Sequence, residues 1–150
     1  MCQHAIKKYT IVRYHNIYGP RMGNEHVIPQ FIERIKKKEN PFKIYGGTNT
    51  RAFCYIEDAV RATQLAMTSE ETNGQIINIG RSDSVIPITN LATELFKVTG
   101  YKAEIKQEPA PKGAAQRRCP DTTFLDKLNF VPKVKLQEGL AKTYEWYKNH

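Results

Sequence analysis

Polar and aromatic side chains crowd one short stretch near the beginning of the chain. Residues 13–20 read R-Y-H-N-I-Y-G-P and directly follow the apolar run of residues 9–12. The stretch is too polar for a buried strand and too aromatic for an ordinary loop. We interpret it as a strand end that contacts a ligand. An asparagine such as Asn16 would also suit the turn that follows, so a purely structural role is the alternative.

Two arginines further along the chain have the chemistry to bind an anion. Arg51 stands between a Gly46-Gly47 turn and an apolar segment, and Arg118 precedes Asp121 in an R-x-x-D spacing. A guanidinium can donate two parallel hydrogen bonds to a phosphate, so a pair of arginines suits a diphosphate. The alternative interpretation is that both are surface arginines paired with nearby acids.

The sequence contains no complete catalytic constellation that we can identify. It has no G-x-G-x-x-G dinucleotide loop and no G-x-x-x-x-G-K-[ST] phosphate loop. The one Y-x-x-x-K spacing, from Tyr144 to Lys148, lies on the apolar stripe of a predicted terminal helix, and we interpret it as chance. The three cysteines, Cys2, Cys54 and Cys119, are far apart, which predicts neither a disulfide framework nor a metal site.

The composition is typical of a globular protein of about one domain. The chain has 150 residues, of which 40% are apolar and 25% charged. No apolar run approaches the roughly 20 residues of a membrane helix, and the N-terminus lacks the apolar centre of a signal peptide, so we expect a cytoplasmic protein with no membrane partner. The net charge of +8 suits nucleic acid, an acidic membrane surface or a small phosphorylated ligand.

Strands and helices alternate along the sequence, which predicts the α/β or α+β class. Apolar spacing and capping residues predict helices over residues 26–38, from Asp58 as N-cap to Met67, from Thr89 as N-cap to Gly100, over 122–128 and from Leu136 onward. Extended segments are predicted at 9–15, 42–45, 52–56, 75–79 and 103–107, and a helix end at 1–8. These strands are short and widely spaced, which argues against a large sheet within the chain.

Three groups of motifs form an ordered series along the chain. The first is R-Y-H-N-I-Y-G-P-R at 13–21, followed by H-V-I-P-Q-F; the second is I-Y-G-G-T-N-T-R-A-F-C-Y-I-E-D-A-V-R-A at 44–62, followed by I-N-I-G; the third is R-R-C-P-D-T-T at 117–123. In this order they resemble the C-terminal half of extended short-chain dehydrogenase/reductases that act on nucleotide-diphosphate sugars. That group includes 4-epimerases, 4,6-dehydratases and UDP-glucuronate decarboxylases.

The resemblance implies the following organisation. Residues 21–150 would form a small mixed α/β domain that binds a nucleotide sugar, and residues 1–20 would be the end of an NAD-binding Rossmann domain, with only the end of its last helix and one strand. In the family, the glycine loop and the catalytic Tyr-x-x-x-Lys precede the segment that matches residues 13–20. We therefore expect a truncated chain that holds no catalytic residue and is inactive alone.

The resemblance also implies the chemistry of the intact enzyme. NAD would be its cofactor, with a hydride passing from C4 of the sugar to NAD and a 4-keto intermediate as the result. The ligand of this chain would be a UDP- or dTDP-sugar. Tight NAD binding by these 150 residues alone is not expected.

Individual roles follow from the positions that match the family motifs. Arg51 and Arg118 would bind the diphosphate, and Asp121 would lie near the ribose or orient the arginine. Asn16 would donate a hydrogen bond to the substrate near the diphosphate. Tyr14 would lie beside the nicotinamide of NAD, although a strand aromatic packed into the core is an equally good interpretation.

The base of the nucleotide would occupy a second part of the site. Val27 and Tyr45 match positions that frame the base in the family, and Lys43 and His26 would flank the same pocket. Val27 also belongs to the apolar stripe of its helix, which favours a core role. His15 stands where many relatives carry an aromatic residue such as phenylalanine, and it receives no role.

Two other classes of function are compatible with the sequence. The chain could be a non-catalytic subunit that completes a site on a separate NAD-binding half, or part of a homo-oligomer. It could also be a basic nucleic-acid-binding module, since it combines the charge of +8 with eight tyrosines. No recognisable RNA-binding signature supports the second alternative.

Overall fold

The computed structural model describes residues 8–150, which form a mixed α/β fold as predicted. The nine strands of this part are β1 (Ile11–Tyr14), β2 (Ile17–Tyr18), β3 (Phe42–Tyr45), β4 (Thr50–Ala52), β5 (Cys54–Tyr55), β6 (Ile76–Ile79), β7 (Val85–Pro87), β8 (Ile105–Glu108) and β9 (Arg117–Arg118). The α-helices are α1 (Val27–Lys36), α2 (Ile56–Thr68), α3 (Ile88–Thr99), α4 (Thr123–Lys127) and α5 (Leu136–Asn149). The helix end predicted for residues 1–8 falls almost wholly outside the described residues.

The strands pair into small sheets. β1 pairs with β6, β2 with β5, and β3 with β8, in each case parallel. β4 is the centre of a three-stranded sheet, antiparallel to β7 and parallel to β9. Within residues 8–150 no sheet exceeds three strands, which confirms the prediction that the chain holds no large sheet.

Buried apolar side chains form two clusters. The larger cluster lies between α1, α3, α5 and β3, and the smaller one between α2, β6 and α4. The stripe predicted for the first helix is confirmed, because Ile28, Phe31, Ile32 and Ile35 are all buried in the larger cluster. The two clusters draw on segments that interleave along the sequence, so each of them joins parts of the chain that are far apart.

Helix α5 approaches the core closely at one glycine. A Cβ atom built on Gly139 would collide with the hydroxyl group and ring of Tyr18 and with the ring of Tyr55. The Tyr18 hydroxyl donates a hydrogen bond to the backbone oxygen of Leu136, at 3.2 Å. Since a larger residue cannot fit at position 139, this glycine lets the helix lie against the two tyrosines.

The predicted N-cap of the second helix was wrong. α2 begins at Ile56 with Tyr55 as its N-cap, so Asp58 lies within the first turn. Its carboxylate is buried and accepts hydrogen bonds from the backbone amides of Lys133 and Val134, both at 2.9 Å, and from Arg61 at 2.7 Å. Asp58 therefore ties a distant loop to the helix, a contact that local sequence cannot predict.

The predicted N-cap of the third helix was also wrong. Pro87 is the N-cap of α3, and Thr89 is the second helical residue. The Thr89 hydroxyl donates instead to the backbone oxygen of Gly47, at 3.2 Å. The other end is confirmed, since Gly100 stands at the C-cap with φ of 70°, a left-handed conformation that glycine adopts without strain.

The other predicted helices and strands are confirmed, with first and last residues that differ slightly from the prediction, apart from one segment. The extended piece expected over residues 52–56 is divided between β4 and β5, and Ile56 already belongs to α2. Strands β2, β7 and β9 were not predicted. No helix within residues 8–150 is long and apolar enough to span a membrane.

Candidate functional site

A cleft of about 600 Å³ opens between two strand ends. One side, which we call the strand wall, consists of residues 14–17 at the end of β1 and the start of β2. The other side, which we call the arginine wall, consists of residues 117–119 in and after β9. His26, directly before α1, completes the lining. The cleft thus joins the two motif groups at 13–21 and 117–123, which are about a hundred residues apart in the sequence.

The strand wall presents a half-exposed ring and an amide. Tyr14 is 55% exposed, and its hydroxyl lies 3.2 Å from the hydroxyl of Thr63. Asn16 has φ of 47°, a left-handed conformation that asparagine tolerates better than most residues, and its backbone oxygen accepts a hydrogen bond from the amide of Cys54. Its side-chain amide makes no hydrogen bond with any residue in the described range. That amide is therefore available to a ligand.

The arginine wall is joined to Arg51 by the register of the sheet. β4 and β9 are parallel, and Arg51 stands in register with Arg118. Arg51 donates hydrogen bonds to the backbone oxygens of Thr50 and Ala115, at 2.7 and 2.9 Å. Partial burial lowers the pKa of the Arg51 guanidinium below its usual value, and the charge of Arg118 lowers it further.

No carboxylate within residues 8–150 lies at ion-pair distance from either of these arginines. The described residues therefore do not support the alternative interpretation, in which both arginines pair with nearby acids. Two neighbouring positive charges without an acidic partner can bind a group with two negative charges.

Asp121 lies in an adjoining cleft of about 410 Å³, which shares Arg117 and Cys119 with the first. Its Oδ1 accepts hydrogen bonds from the hydroxyl and the backbone amide of Thr123, at 2.6 and 2.9 Å. These two bonds lower the pKa of the Asp121 carboxyl. The side chain is thus engaged at the start of α4, and it makes no ion pair with Arg118.

The residues predicted to frame a base are not part of the cleft. Val27 is half-buried against the larger apolar cluster. Lys43 and Tyr45 share the exposed face of β3, where Tyr45 is 60% exposed. Of the residues predicted for the site, the cleft itself holds Tyr14, Asn16 and Arg118, together with His26, which was predicted to flank the base pocket.

Four residues that line the cleft were not predicted for the site: His15, Ile17, Arg117 and Cys119. Arg117 lines both clefts, and His15 lines the first. The doubled arginine at 117–118 was visible in the sequence, but only the folded structure shows that both arginines line the cleft. His15 gave no signal because one histidine in a strand is usually a packed residue.

The chain is similar to known enzymes that act on sugar nucleotides. The family model described as "NAD dependent epimerase/dehydratase family" matches residues 1–80. A UDP-N-acetyl-alpha-D-glucosaminuronate decarboxylase of Bacillus cytotoxicus is 39% identical over 93% of this chain and 46% of its own length. A GDP-mannose 3,5-epimerase of Oryza sativa is 30% identical over 99% of this chain and 41% of its own length.

Solved structures agree with these relatives. The UDP-glucose 4-epimerase of Thermotoga maritima with UDP-glucose is similar over 95% of this chain and 46% of its own, with a TM-score of 0.83 and 35% identity. The UDP-glucuronic acid 4-epimerase of Bacillus cereus, in complex with UDP-glucuronic acid and NAD, matches over 93% of this chain and 45% of its own, with a TM-score of 0.82 and 29% identity.

The chain therefore spans a little under half the length of the relatives and solved structures that it matches. None of these comparisons supports a nucleic-acid-binding module. The motif series, the mixed α/β fold and the family match over more than half of the residues agree with one another. The chain belongs to the NAD-dependent epimerase/dehydratase family.

Proposed function

We propose that the chain is the nucleotide-diphosphate-sugar-binding portion of an NAD-dependent sugar epimerase, dehydratase or decarboxylase. The observation that carries the proposal is the register pair of Arg51 and Arg118, which has no carboxylate partner within residues 8–150. The diphosphate would lie against these two guanidiniums, with the Asn16 amide donating a further hydrogen bond from the opposite wall. Relatives solved with UDP-glucose and UDP-glucuronic acid support this class of ligand.

The other parts of the ligand would extend in two directions from the diphosphate. Asp121, in the adjoining cleft, would lie on the side of the ribose. The base would lie beyond Arg51, near Lys43 and Tyr45. These two residues stand on the exposed face of β3, and the turn from Gly46 to Asn49 connects β3 to the strand that carries Arg51. Val27, which is half-buried, would contribute only an apolar edge to that pocket.

The residues present fit only a small part of an NAD site. The exposed ring of Tyr14 at the end of β1 offers a flat surface for a nicotinamide, but the sequence holds no dinucleotide glycine loop. Bound NAD would supply a hydride acceptor for C4 of the sugar. This chain would bind and orient the sugar nucleotide, and we expect neither turnover nor tight NAD binding from it alone.

An exposed apolar surface on α2 favours contact with a further portion of protein. Ile56, Val60 and Met67 lie along one side of α2 and are 38%, 48% and 78% exposed. We call these three residues the α2 surface, and we propose that an NAD-binding portion, in the same or another polypeptide, covers it.

The central claim is tested by titration calorimetry of the chain with UDP, UDP-glucose and a dTDP-sugar. We expect weak but measurable binding of at least one of them. Arg51→Ala and Arg118→Ala should each reduce the affinity about tenfold or more, since hydrogen bonds to charged groups are among the stronger polar contacts. Lys102→Ala, which removes one exposed positive charge elsewhere, is the matched control and should leave the affinity unchanged.

Unchanged affinity in both arginine variants would refute the assignment of the diphosphate site. Equal losses in Lys102→Ala would show that only the overall charge attracts the nucleotide. The same titration with NAD should show no tight binding, and tight binding would contradict the proposal that the cofactor needs a further portion of protein.

A further inference from the structure

The side chain of Asn78 connects the two walls of the cleft. Asn78 lies on β6, in register with Arg13 of β1. Its Oδ1 accepts hydrogen bonds from Arg13 Nε at 3.0 Å and from His15 Nε2 at 3.1 Å, and its Nδ2 donates to the backbone oxygen of Asp121 at 2.9 Å. His15 belongs to the strand wall, and Asp121 follows the arginine wall by two residues. One amide group therefore joins both sides.

The partners determine which way this amide is turned. Arg13 Nε can only donate and the Asp121 carbonyl can only accept, so a flipped amide would place donor against donor and acceptor against acceptor. Because Oδ1 of Asn78 only accepts, Nε2 of His15 must carry the hydrogen.

Two further contacts follow Asn78 at every second residue. A Cβ atom built on Gly80 would lie 2.9 Å from Cγ of Pro120 and 3.2 Å from Cβ of His15, so only glycine permits this approach between the walls. Ser82 Oγ lies 2.6 Å from the hydroxyl oxygen of Thr122. Asn78, Gly80 and Ser82 thus each contact the loop of residues 120–122, which follows Arg118 in the sequence.

We propose that Asn78 is a positioning residue that sets the separation of the strand wall from the arginine wall and thereby places Arg118 for its anionic ligand. The cleft cannot widen near Asn78 without breaking the bond to His15 or the bond to Asp121. The identity of the anion rests on the proposed function, whereas the connection between the walls does not.

The variant Asn78→Asp separates the two halves of this connection. It keeps an oxygen that accepts from Arg13 and His15, and it replaces the donor that faces the Asp121 carbonyl with a second acceptor. Asn73→Asp is the matched control, because it makes the same change of charge while its Oδ1, which accepts from the Tyr9 amide, is retained. Gly80→Ala disturbs the same loop by steric contact alone.

Cys119, in the arginine wall, reports on this loop without any ligand. Its rate of alkylation by iodoacetamide at constant pH, measured by peptide mass spectrometry, should rise roughly two- to tenfold in Asn78→Asp, the factor that one net hydrogen bond contributes to an equilibrium. Gly80→Ala should show a rise in the same direction, and Asn73→Asp none. Cys54 is buried and should stay unreactive in each variant if only the loop has moved.

An unchanged Cys119 rate in Asn78→Asp would overturn the inference. A parallel rise at Cys54 would overturn it as well, since Asn78 would then hold the whole fold rather than the cleft. Asn78→Asp should also weaken UDP binding, and equal affinity would refute the placement of Arg118. Failure of the unmodified chain to bind UDP, UDP-glucose and the dTDP-sugar would refute the proposed function, while the Cys119 rates would still decide whether Asn78 joins the walls.

Discussion

At the residue scale, Arg51 and Arg118 place two like charges side by side. Their repulsion contributes to the lowered pKa of Arg51, and no acid within residues 8–150 offsets it. A bound diphosphate would replace this repulsion with two attractive charge-assisted contacts. The ligand would therefore stabilise the sheet of β4 and β9 as well as occupy the cleft.

Cys54 gives the clearest pH dependence. Burial raises the pKa of its thiol to about 12 from an ordinary value of 9.0, and the nearby Asp58 carboxylate contributes in the same direction. Between these values the unfolded chain loses the thiol proton and the folded chain keeps it. Stability should therefore be unaffected below pH 9 and should fall as the pH rises toward 12, by about 1 kcal/mol per pH unit.

Urea unfolding at pH 8, 9, 10 and 11 measures this effect. Burial also raises the pKa of the Tyr18 hydroxyl, which adds a decline of the same sign. Cys54→Ala should therefore flatten the curve of stability against pH without abolishing its slope. Cys119→Ala, which removes a partly exposed thiol, is the control and should follow the unmodified chain. Parallel curves for Cys54→Ala and the unmodified chain would contradict the prediction.

At the element scale, the first turn of α2 anchors the loop that precedes α5. Asp58 binds the backbone amides of Lys133 and Val134, and these three residues join two parts of the chain about 75 positions apart. The same turn carries exposed Glu57, which pairs with Lys142 of α5 at 3.2 Å. Asp58 thus contacts the C-terminal region through a buried carboxylate, and Glu57 contacts it through a solvent-exposed ion pair.

Asp58→Ala should lower the free energy of unfolding by about 3 kcal/mol, because it leaves two amides of a buried contact without partners. Glu57→Ala is the matched control, and an exposed ion pair of this kind is worth only about 0.5 kcal/mol. Urea denaturation of both variants measures the difference. Equal losses would contradict the role assigned to Asp58.

These contacts show why part of the fold could be predicted and part could not. α1 and β3 follow from periodic apolar residues, and the sequence analysis placed β3 at its observed bounds. The two-residue strands β2 and β9 carry no such period and exist because distant strands pair with them. The Asp58 N-cap was wrong for the same reason, since its partners lie in a remote loop.

The candidate site divides in a similar way. Motif order identified Arg51 and Arg118 singly, and the sheet register supplied their proximity. The link from Asn78 to both walls depends on the parallel pairing of β1 with β6, which brings His15 beside it. Residue types thus indicated the kind of ligand, and long-range pairing determined which residues meet.

At the scale of the whole molecule, the α2 surface predicts how the isolated chain behaves in solution. Exposed apolar side chains at this spacing favour association. We expect the molar mass from light scattering to rise with protein concentration. Val60→Glu should reduce the association, because it places a charge in the middle of the surface.

Asn90→Asp is the matched control, since it places the same charge at an exposed position of another helix, α3, and leaves the α2 surface intact. It should leave the association unchanged. A chain that stays monomeric at all concentrations would contradict the prediction. If both variants reduced the association equally, the added charge rather than the loss of an apolar side chain would explain the effect. Addition of an NAD-binding half should compete with self-association if both use this surface.

The contacts at residues 78, 80 and 82 also constrain how the sequence can vary in length. They fall at every second residue, and each meets a different part of the loop behind Arg118. An insertion or deletion of one residue after Asn78 would move Gly80 and Ser82 out of step with that loop. Residues 111–114, which precede the Ala115 carbonyl that binds Arg51, carry no comparable series. We therefore expect insertions and deletions to be tolerated at 111–114 but not at 78–82.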